Sequence, residues 1–279
     1  MQQAYAYIKS ALQANHSDAE ITAIAALLLS EITGLSNTAL IINKNTKISD
    51  IQRMQLESFV NQLLQGIPVQ YLIGKTTFYG LDLVVNNHVL IPRPETEELV
   101  EWIKNTTSNR SDTSILDLGT GSGCIAIAIK QLLSNCNIAA CDISESALDI
   151  ARANARRHNL AIHFFKHDIL EHTHFDENFD VIVSNPPYIP LSEATNMQSQ
   201  VVGHEPHIAL FVPDNDPLVY YKAIIRLAKR NLKSNGRLFF EIHFKYGRAV
   251  ELLLLESGFS SVELRADISG NDRMIMAIH

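Results

Sequence analysis

The stretch Asp117-Leu-Gly119-Thr120-Gly121-Ser122-Gly123 joins a short apolar run to a helical pattern. Glycines in such a turn allow a tight reversal and let a ligand approach the backbone, at the strand ends where open sheets bind ligands. A dinucleotide fingerprint, G-x-G-x-x-G, needs its third glycine at position 124, where this chain has Cys124. The spacing found is G-x-G-x-G, with an acid two residues upstream, and it fits a ligand without a pyrophosphate. S-adenosylmethionine is such a ligand, with a carboxylate suited to a helix N-terminus. Asp142 ends the next apolar run, 19 residues after Gly123, where a carboxylate can accept from both ribose hydroxyls. Asp168 ends the third run, where an acceptor can meet the exocyclic amine of adenine. Taken singly, Asp168 reads equally well as a helix cap or solvated turn. Glycines and acids in series after three successive strands are far more specific.

The fourth run, Val181–Ser184, leads into Asn185-Pro186-Pro187-Tyr188. A strand stopped by proline, with Asn as a turn residue, accounts for Pro-Pro alone. The full polar-Pro-Pro-aromatic order at this place points to a planar-amine acceptor. A sulfonium methyl transfers in line to a nucleophile opposite the sulfur. The lone pair of an amide or aromatic amine is delocalised, and removing a proton first is unrealistic near neutral pH. An NH2 group does offer two donors. The Asn185 side-chain oxygen and the Pro186 carbonyl can accept both, which fixes the nitrogen beside the methyl and favours a pyramidal, more cationic transition state. The prolines lock φ and hold the carbonyl still, and Tyr188 can stack on the planar group. This chemistry needs neither a metal nor a strong base.

Such residues need a frame of alternating strands and helices. After Ser114 the pattern gives strands at Ile115–Leu118, Ile138–Asp142, Ile162–Phe165, Val181–Ser184 and Arg237–Ile242, separated mostly by helical stretches such as Ile125–Leu133, Ser146–His158 and Leu218–Leu232. That alternation implies a parallel, doubly wound α/β sheet. Val262–Arg265 and Met274–Ile278 are too close for a crossover helix and must be antiparallel. A parallel sheet ending in one antiparallel hairpin is the Rossmann-like shape of class I methyltransferases. Residues 1–75 read as helices only. Ser17…Glu20 and Ser49…Gln52 are capping boxes, and the apolar stripes behind them read as core. Residues 76–94 switch to period two, with Asn86-Asn87 as the expected turn of a β-hairpin linking a domain of residues 1–75 to one of residues 95–279.

Composition narrows the partners. The chain of 279 residues carries 23 Lys and Arg against 30 Asp and Glu, a formal charge of −7. Five basic and five acidic residues fall within 1–75, so that block is neutral and no basic clamp for nucleic acid. Three cysteines without a C-x-x-C pair suggest neither disulfides nor zinc. His163, His167, His172 and His174 are crowded, but without further ligands they read as a solvated surface. Cys124 reads as packing. No signal peptide and no apolar run of membrane-spanning length are evident. The expectation is a monomeric cytoplasmic protein with no direct nucleic-acid or membrane partner and no metal.

Asn185-Pro-Pro-Tyr188 is shared by planar-amine N-methyltransferases. Four further stretches, Pro68-Val-Gln-Tyr-Leu-Ile-Gly74, Phe78-Tyr-Gly80, Leu90-Ile-Pro-Arg-Pro-Glu-Thr-Glu97 and Glu205-Pro-His-Ile-Ala-Leu210, resemble the HemK/PrmC family. These are protein-(glutamine-N5) methyltransferases of peptide chain release factors, and the resemblance covers nearly the whole chain. It implies S-adenosylmethionine as methyl donor, with S-adenosylhomocysteine as product. It also implies an acceptor glutamine in the Gly-Gly-Gln loop of class-1 release factors, and a helical N-terminal domain that recognises the substrate. By position it assigns Asp117, Gly119, Thr120, Gly121, Ser122, Gly123, Asp142, Asp168, Ile169 and Asn185 to the cofactor, and Asn185, Pro186, Pro187 and Tyr188 to the glutamine. The residue after Asp168 is often aromatic in the family and stacks on adenine. Here it is Ile169, which implies apolar packing. His243 and Tyr246 stand where the pattern has glycine and glutamine, and Phe211–Pro217 replaces a glycine-rich turn. Arg93 and Glu95 fit helix capping with an ion pair, or support behind the acceptor pocket. The other readings are an adenine-N6 methyltransferase on DNA or RNA, against which the lack of a basic recognition domain counts, and a catalytically silent protein that binds a translation factor.

Overall fold

The computed structural model describes residues 1–172 and 174–279. The chain packs as two units, Met1–Lys75 with Gln198–His204, and Thr76–Met197 with Glu205–His279.

The smaller unit holds α1 (Gln2–Leu12), α2 (Asp18–Thr33), α3 (Asn37–Ile42), α4 (Asp50–Leu64), α5 (Val69–Ile73) and the short α9 (Ser199–His204). Both capping boxes form as read. Ser17 and Ser49 each accept the amide three residues on, and the Glu20 and Gln52 side chains bond back to the cap. Each such cap is worth about 1 kcal/mol. The helices close on Ile8, Leu12, Ile21, Leu28, Leu56 and Val60, all buried.

The larger unit contains β1 (Lys75–Phe78), β2 (Leu81–Val84), α6 (Pro94–Thr106), β3 (Ser114–Leu118), α7 (Cys124–Leu132), β4 (Asn137–Asp142), α8 (Glu145–Arg157), β5 (His163–Lys166), β6 (Phe179–Ser184), β7 (Ile189–Pro190), β8 (Phe211–Val212), α10 (Val219–Asn231), β9 (Leu232–Glu241), α11 (Gly247–Glu256), β10 (Ser261–Ala266) and β11 (Asp272–Ile278). The main sheet runs β10-β11-β9-β6-β3-β4-β5. The pairs among β9, β6, β3, β4 and β5 are parallel, and β11 is antiparallel to both β9 and β10. The central strands are buried on both faces, hence their largely apolar runs, interrupted in β3 by the buried Asp117. Ile115, Val181, Val183 and Phe239 pack with α6 and α7 on one side. Their neighbours Leu116, Ile182, Leu238 and Phe240 pack with α10 and α11 on the other.

The hairpin differs from its expected form. Its turn is Tyr79-Gly80, at φ +49° and +74°, between β1 and β2. Asn86-Asn87 does turn the chain, yet Val89 and Ile91 form no strand, although both are buried. Their amides are engaged elsewhere. Val89 donates to the Asn86 carbonyl at 3.1 Å, and Ile91 donates to Glu205 Oε2 at 3.2 Å. The hairpin packs with the sheet unit through Asn154 of α8. That side chain receives the Val84 amide at 2.7 Å and donates to the Val84 carbonyl at 3.0 Å.

Candidate active site

Sequential strands run β3, β4, β5 to one side, and β6 then returns to the other side of β3. Ligands bind open α/β sheets at such a reversal. A cleft lies there, beyond the carboxyl ends of these strands, enclosing about 1050 Å³ of space, part of it open to solvent.

The glycine loop forms one wall. Gly119 and Gly121 have positive φ, and a Cβ added to either would meet nothing within 4 Å, so both present backbone to open space. Gly123 differs. Its Cβ would come within 3.0 Å of Ile127 Cδ1 and 3.1 Å of Ala151 Cβ, so its small size lets α7 start against α8. Asp142 Oδ2 accepts the Gly121 amide and Oδ1 the Ser144 amide, each at 2.9 Å. Burial draws its carboxyl above the usual range, against those two amides. Thr120 and Ser122 line the cleft. Ser122 is buried, and its hydroxyl has no hydrogen-bond partner among the described residues. Backbone facing open space, an orphaned hydroxyl and a carboxylate on the adjoining strand suit the polar groups of S-adenosylmethionine.

Asp117 does not reach the cleft. It is fully buried behind the loop, where Oδ2 accepts from Thr120 Oγ1 at 2.6 Å. Burial pushes its carboxyl up to about 7, against that hydroxyl. An aspartate raised this far costs the folded state increasingly as pH climbs from its ordinary 3.8 to about 7, since only the unfolded chain ionises freely over that window. Asp117→Asn should remove this dependence. Urea unfolding at pH 5 and pH 7.5 should show the variant gaining on the wild type at the higher pH. A difference independent of pH would show that Asp117 ionises normally.

Asp168 and Ile169 line the far end of the cleft, and Asp168 Oδ1 also accepts the Leu170 amide at 2.8 Å. The turn role and a place on the cleft wall therefore coexist. Tyr220, at the start of α10, also lines this end and was not singled out by the sequence. Burial and the charges of Asp168 and Asp142 hold its phenol above the ordinary value. The aromatic pair Tyr220-Tyr221 at a helix start was its only local signal.

At the other end, Asn185 and Pro187 line the cleft, whereas Pro186 is buried. Tyr188 turns away from the cleft. Its hydroxyl donates to Glu241 Oε1 at 3.1 Å, and its ring meets His243 edge-on at 5.9 Å. Burial and the Glu241 charge raise its phenol strongly. Arg93 faces the cleft and pairs at 2.5 Å with Glu205, not with Glu95. Glu205 thus holds both Arg93 and the Ile91 amide. Thr96, also on the cleft wall, links Asn185 to Glu241.

The departures from the family pattern lie around this end. His243 is buried among Tyr188, Phe244 and Tyr246. Phe211–Val212 pairs in parallel with Ile189–Pro190, directly after the acceptor motif. Cys124 borders the cleft, but burial pushes its thiol up to about 12, which leaves it inert as a nucleophile at neutral pH. His163, His167 and His172 pack with Phe165 and Phe175 in an aromatic cluster.

Residues 3–74 match the PrmC N-terminal domain, and residues 95–204 the methyltransferase small domain. A release factor glutamine methyltransferase of Flavobacterium psychrophilum is 42% identical over 95% of this chain and 94% of its own. That of Bacteroides thetaiotaomicron is 37% identical over 98% of each. Among solved structures, a methyltransferase from Pyrococcus furiosus shares the fold with a TM-score of 0.53, at 18% identity, over 78% of this chain and 96% of its own.

Proposed function

Because the chain belongs to the release factor glutamine methyltransferase family, we propose that it methylates the side-chain amide nitrogen (N5) of the glutamine in the Gly-Gly-Gln loop of class-1 release factors. S-adenosylmethionine, which the methyltransferase family implies, supplies a methyl group on a positively charged sulfur. The observation that carries the proposal is the juxtaposition of Asn185 with the glycine loop and Asp142 along one cleft.

Gly119–Ser122 and Asp142 would hold the donor, with Asp142 the acceptor for its sugar hydroxyls and Asp168 the acceptor for its base amine. Asn185 receives the acceptor NH2 through its side-chain oxygen, and the Pro186 carbonyl receives the second N–H. As the methyl is transferred, positive charge grows on the amide nitrogen. Acceptor dipoles fixed in advance stabilise that charge more than the neutral ground state. The methylated nitrogen then loses its extra proton to water, so no side chain has to act as a strong base. Tyr188 serves the acceptor from behind, through Glu241 and Thr96, rather than by stacking.

Residues 1–75 are the substrate-recognition part in this reading. Ile41, Ile42, Ile51 and Met54 stand 70–79% exposed on that unit, apolar surface suited to gripping a folded protein. The enzyme acts as a cytoplasmic monomer. No helix among the described residues is long and apolar enough to cross a membrane.

The test offers labelled S-adenosylmethionine with intact release factor, with release factor whose Gly-Gly-Gln glutamine is replaced, and with an adenine-containing oligonucleotide. Label should enter the intact factor alone. Label in the oligonucleotide, with none in the factor, would assign the acceptor site to adenine.

A further inference from the structure

Glu241 is the last residue of β9 and is 1% exposed. An acid so deeply buried must be satisfied. Its Oε2 accepts from Thr96 Oγ1 at 2.6 Å, its Oε1 from the Tyr188 hydroxyl at 3.1 Å, and its backbone carbonyl from the Tyr221 hydroxyl at 3.2 Å. Thr96 sits in the first turn of α6, also buried. Burial raises the Glu241 carboxyl, while these two hydroxyls and the charge of Arg273 oppose the rise.

Thr96 has a single hydroxyl proton. The short contact to a carboxylate commits that proton to Glu241. Oγ1 is then purely an acceptor toward Asn185, whose Nδ2 lies 3.4 Å away. An asparagine amide is nearly symmetric in shape, and only its hydrogen bonds decide which end points where. With Nδ2 drawn to Thr96, the oxygen is the end left for the cleft. Were the amide reversed, Asn185 would offer N–H groups to an incoming NH2, and donor would face donor.

We infer that Glu241 and Thr96 are positioning residues for methyl transfer, a relay that sets the polarity of the Asn185 amide and ties it to Tyr188. The inference rests on the glutamine reading above, and it adds a reason why the site accepts a group rich in donors. Neither residue need touch substrate. Thr96 and Glu241 lie 145 residues apart in sequence, so the relay exists only in the folded sheet.

The test compares full-length wild type with Thr96→Val, Thr96→Ser and Glu241→Gln. Three readouts are taken: kcat, KM for the acceptor, and calorimetric Kd for S-adenosylhomocysteine. Thr96→Val keeps the shape and removes the hydroxyl. It should lower kcat about tenfold, the scale of one lost buried hydrogen bond, with the S-adenosylhomocysteine Kd changed by less than about twofold. Thr96→Ser restores the hydroxyl and should recover most of the kcat. In Glu241→Gln an NH2 replaces one oxygen, which can turn the Thr96 hydroxyl round, so kcat should fall while Kd holds.

A Thr96→Val kcat within about twofold of wild type overturns the relay, as does a Thr96→Ser no better than Thr96→Val. If Thr96→Val fails to fold, the decision passes to Glu241→Gln, where an unchanged kcat overturns it. Release factor and oligonucleotide adenine are both offered, and each ratio is taken on whichever acceptor the wild type methylates. A wild type active only on adenine removes the glutamine assignment and leaves the relay to be judged on adenine. A wild type inactive on both overturns both readings.

Discussion

Asn185→Ala should lower kcat by a factor on the order of a hundred or more, the scale seen when one aligned polar group is lost from a transition state. The structure explains why this loss should fall on turnover. Asn185 leaves the end of β6 half-buried on the cleft wall, and its hydrogen bond to Thr96 is long, at 3.4 Å. The strand before it is anchored by its own pairings with β3 and β9, and Ser184 donates to the Leu118 carbonyl at 2.7 Å. Folding therefore draws little from the amide. Transfer draws heavily on it, because charge appears on the acceptor nitrogen only as the new bond forms. The measurement is single-turnover methyl transfer beside a thermal unfolding curve. A variant with near-normal kcat would sink the mechanism.

Asp142→Ala should weaken S-adenosylhomocysteine binding about tenfold or more, since charge-assisted hydrogen bonds to both ribose hydroxyls are worth about 1.5–3 kcal/mol. A second effect adds to the first. The same carboxylate receives the Gly121 and Ser144 amides, so its removal also takes one of three ties to β4 from the glycine loop, the Gly119 and Thr120 amides keeping theirs to the Cys141 carbonyl. Asp142→Asn separates the two contributions. Its single oxygen can keep one of those amides, while the charge is gone. Calorimetry on the three proteins should therefore rank wild type above Asp142→Asn, and Asp142→Ala last. Unchanged affinity in a folded Asp142→Ala would remove the residue from the binding site.

Local interactions made much of this molecule legible in its sequence. A capping box spans three residues, so Ser17 with Glu20 and Ser49 with Gln52 could be read directly. Alternating strands and helices implied the parallel sheet, and the short gap between Val262–Arg265 and Met274–Ile278 left no choice but an antiparallel end. The hairpin turn was misplaced because Asn-Asn is a stronger turn signal than Tyr-Gly, and a tyrosine at φ +49° is uncommon. Polar pairs across the fold leave no periodic trace. Nothing near Thr96 announces Glu241, and nothing near Ile91 announces Glu205. Glu241 did carry a hint, as a lone acid ending an apolar strand. An aromatic ring after Pro-Pro suggests stacking on a planar acceptor, but the direction of the Tyr188 side chain is decided by the buried acid behind it.

The two-residue pairing of Ile189–Pro190 with Phe211–Val212 pins both ends of residues 191–210. Lengthening a loop whose ends are already joined adds only about 0.6 kcal/mol for each doubling. The second half of that stretch is fixed, since Glu205 holds Arg93 and the Ile91 amide while Pro206, Ile208 and Ala209 line the cleft, but Leu191–Asn196 buries no residue and can take insertions while the chain still leaves Asn185–Tyr188 along the same path. Leu191–Asn196 is thus the tolerant part of a segment joined at both ends to the frame that carries the acceptor motif. It is a natural place for evolution, or an engineer, to alter which protein is held without disturbing how its nitrogen is methylated.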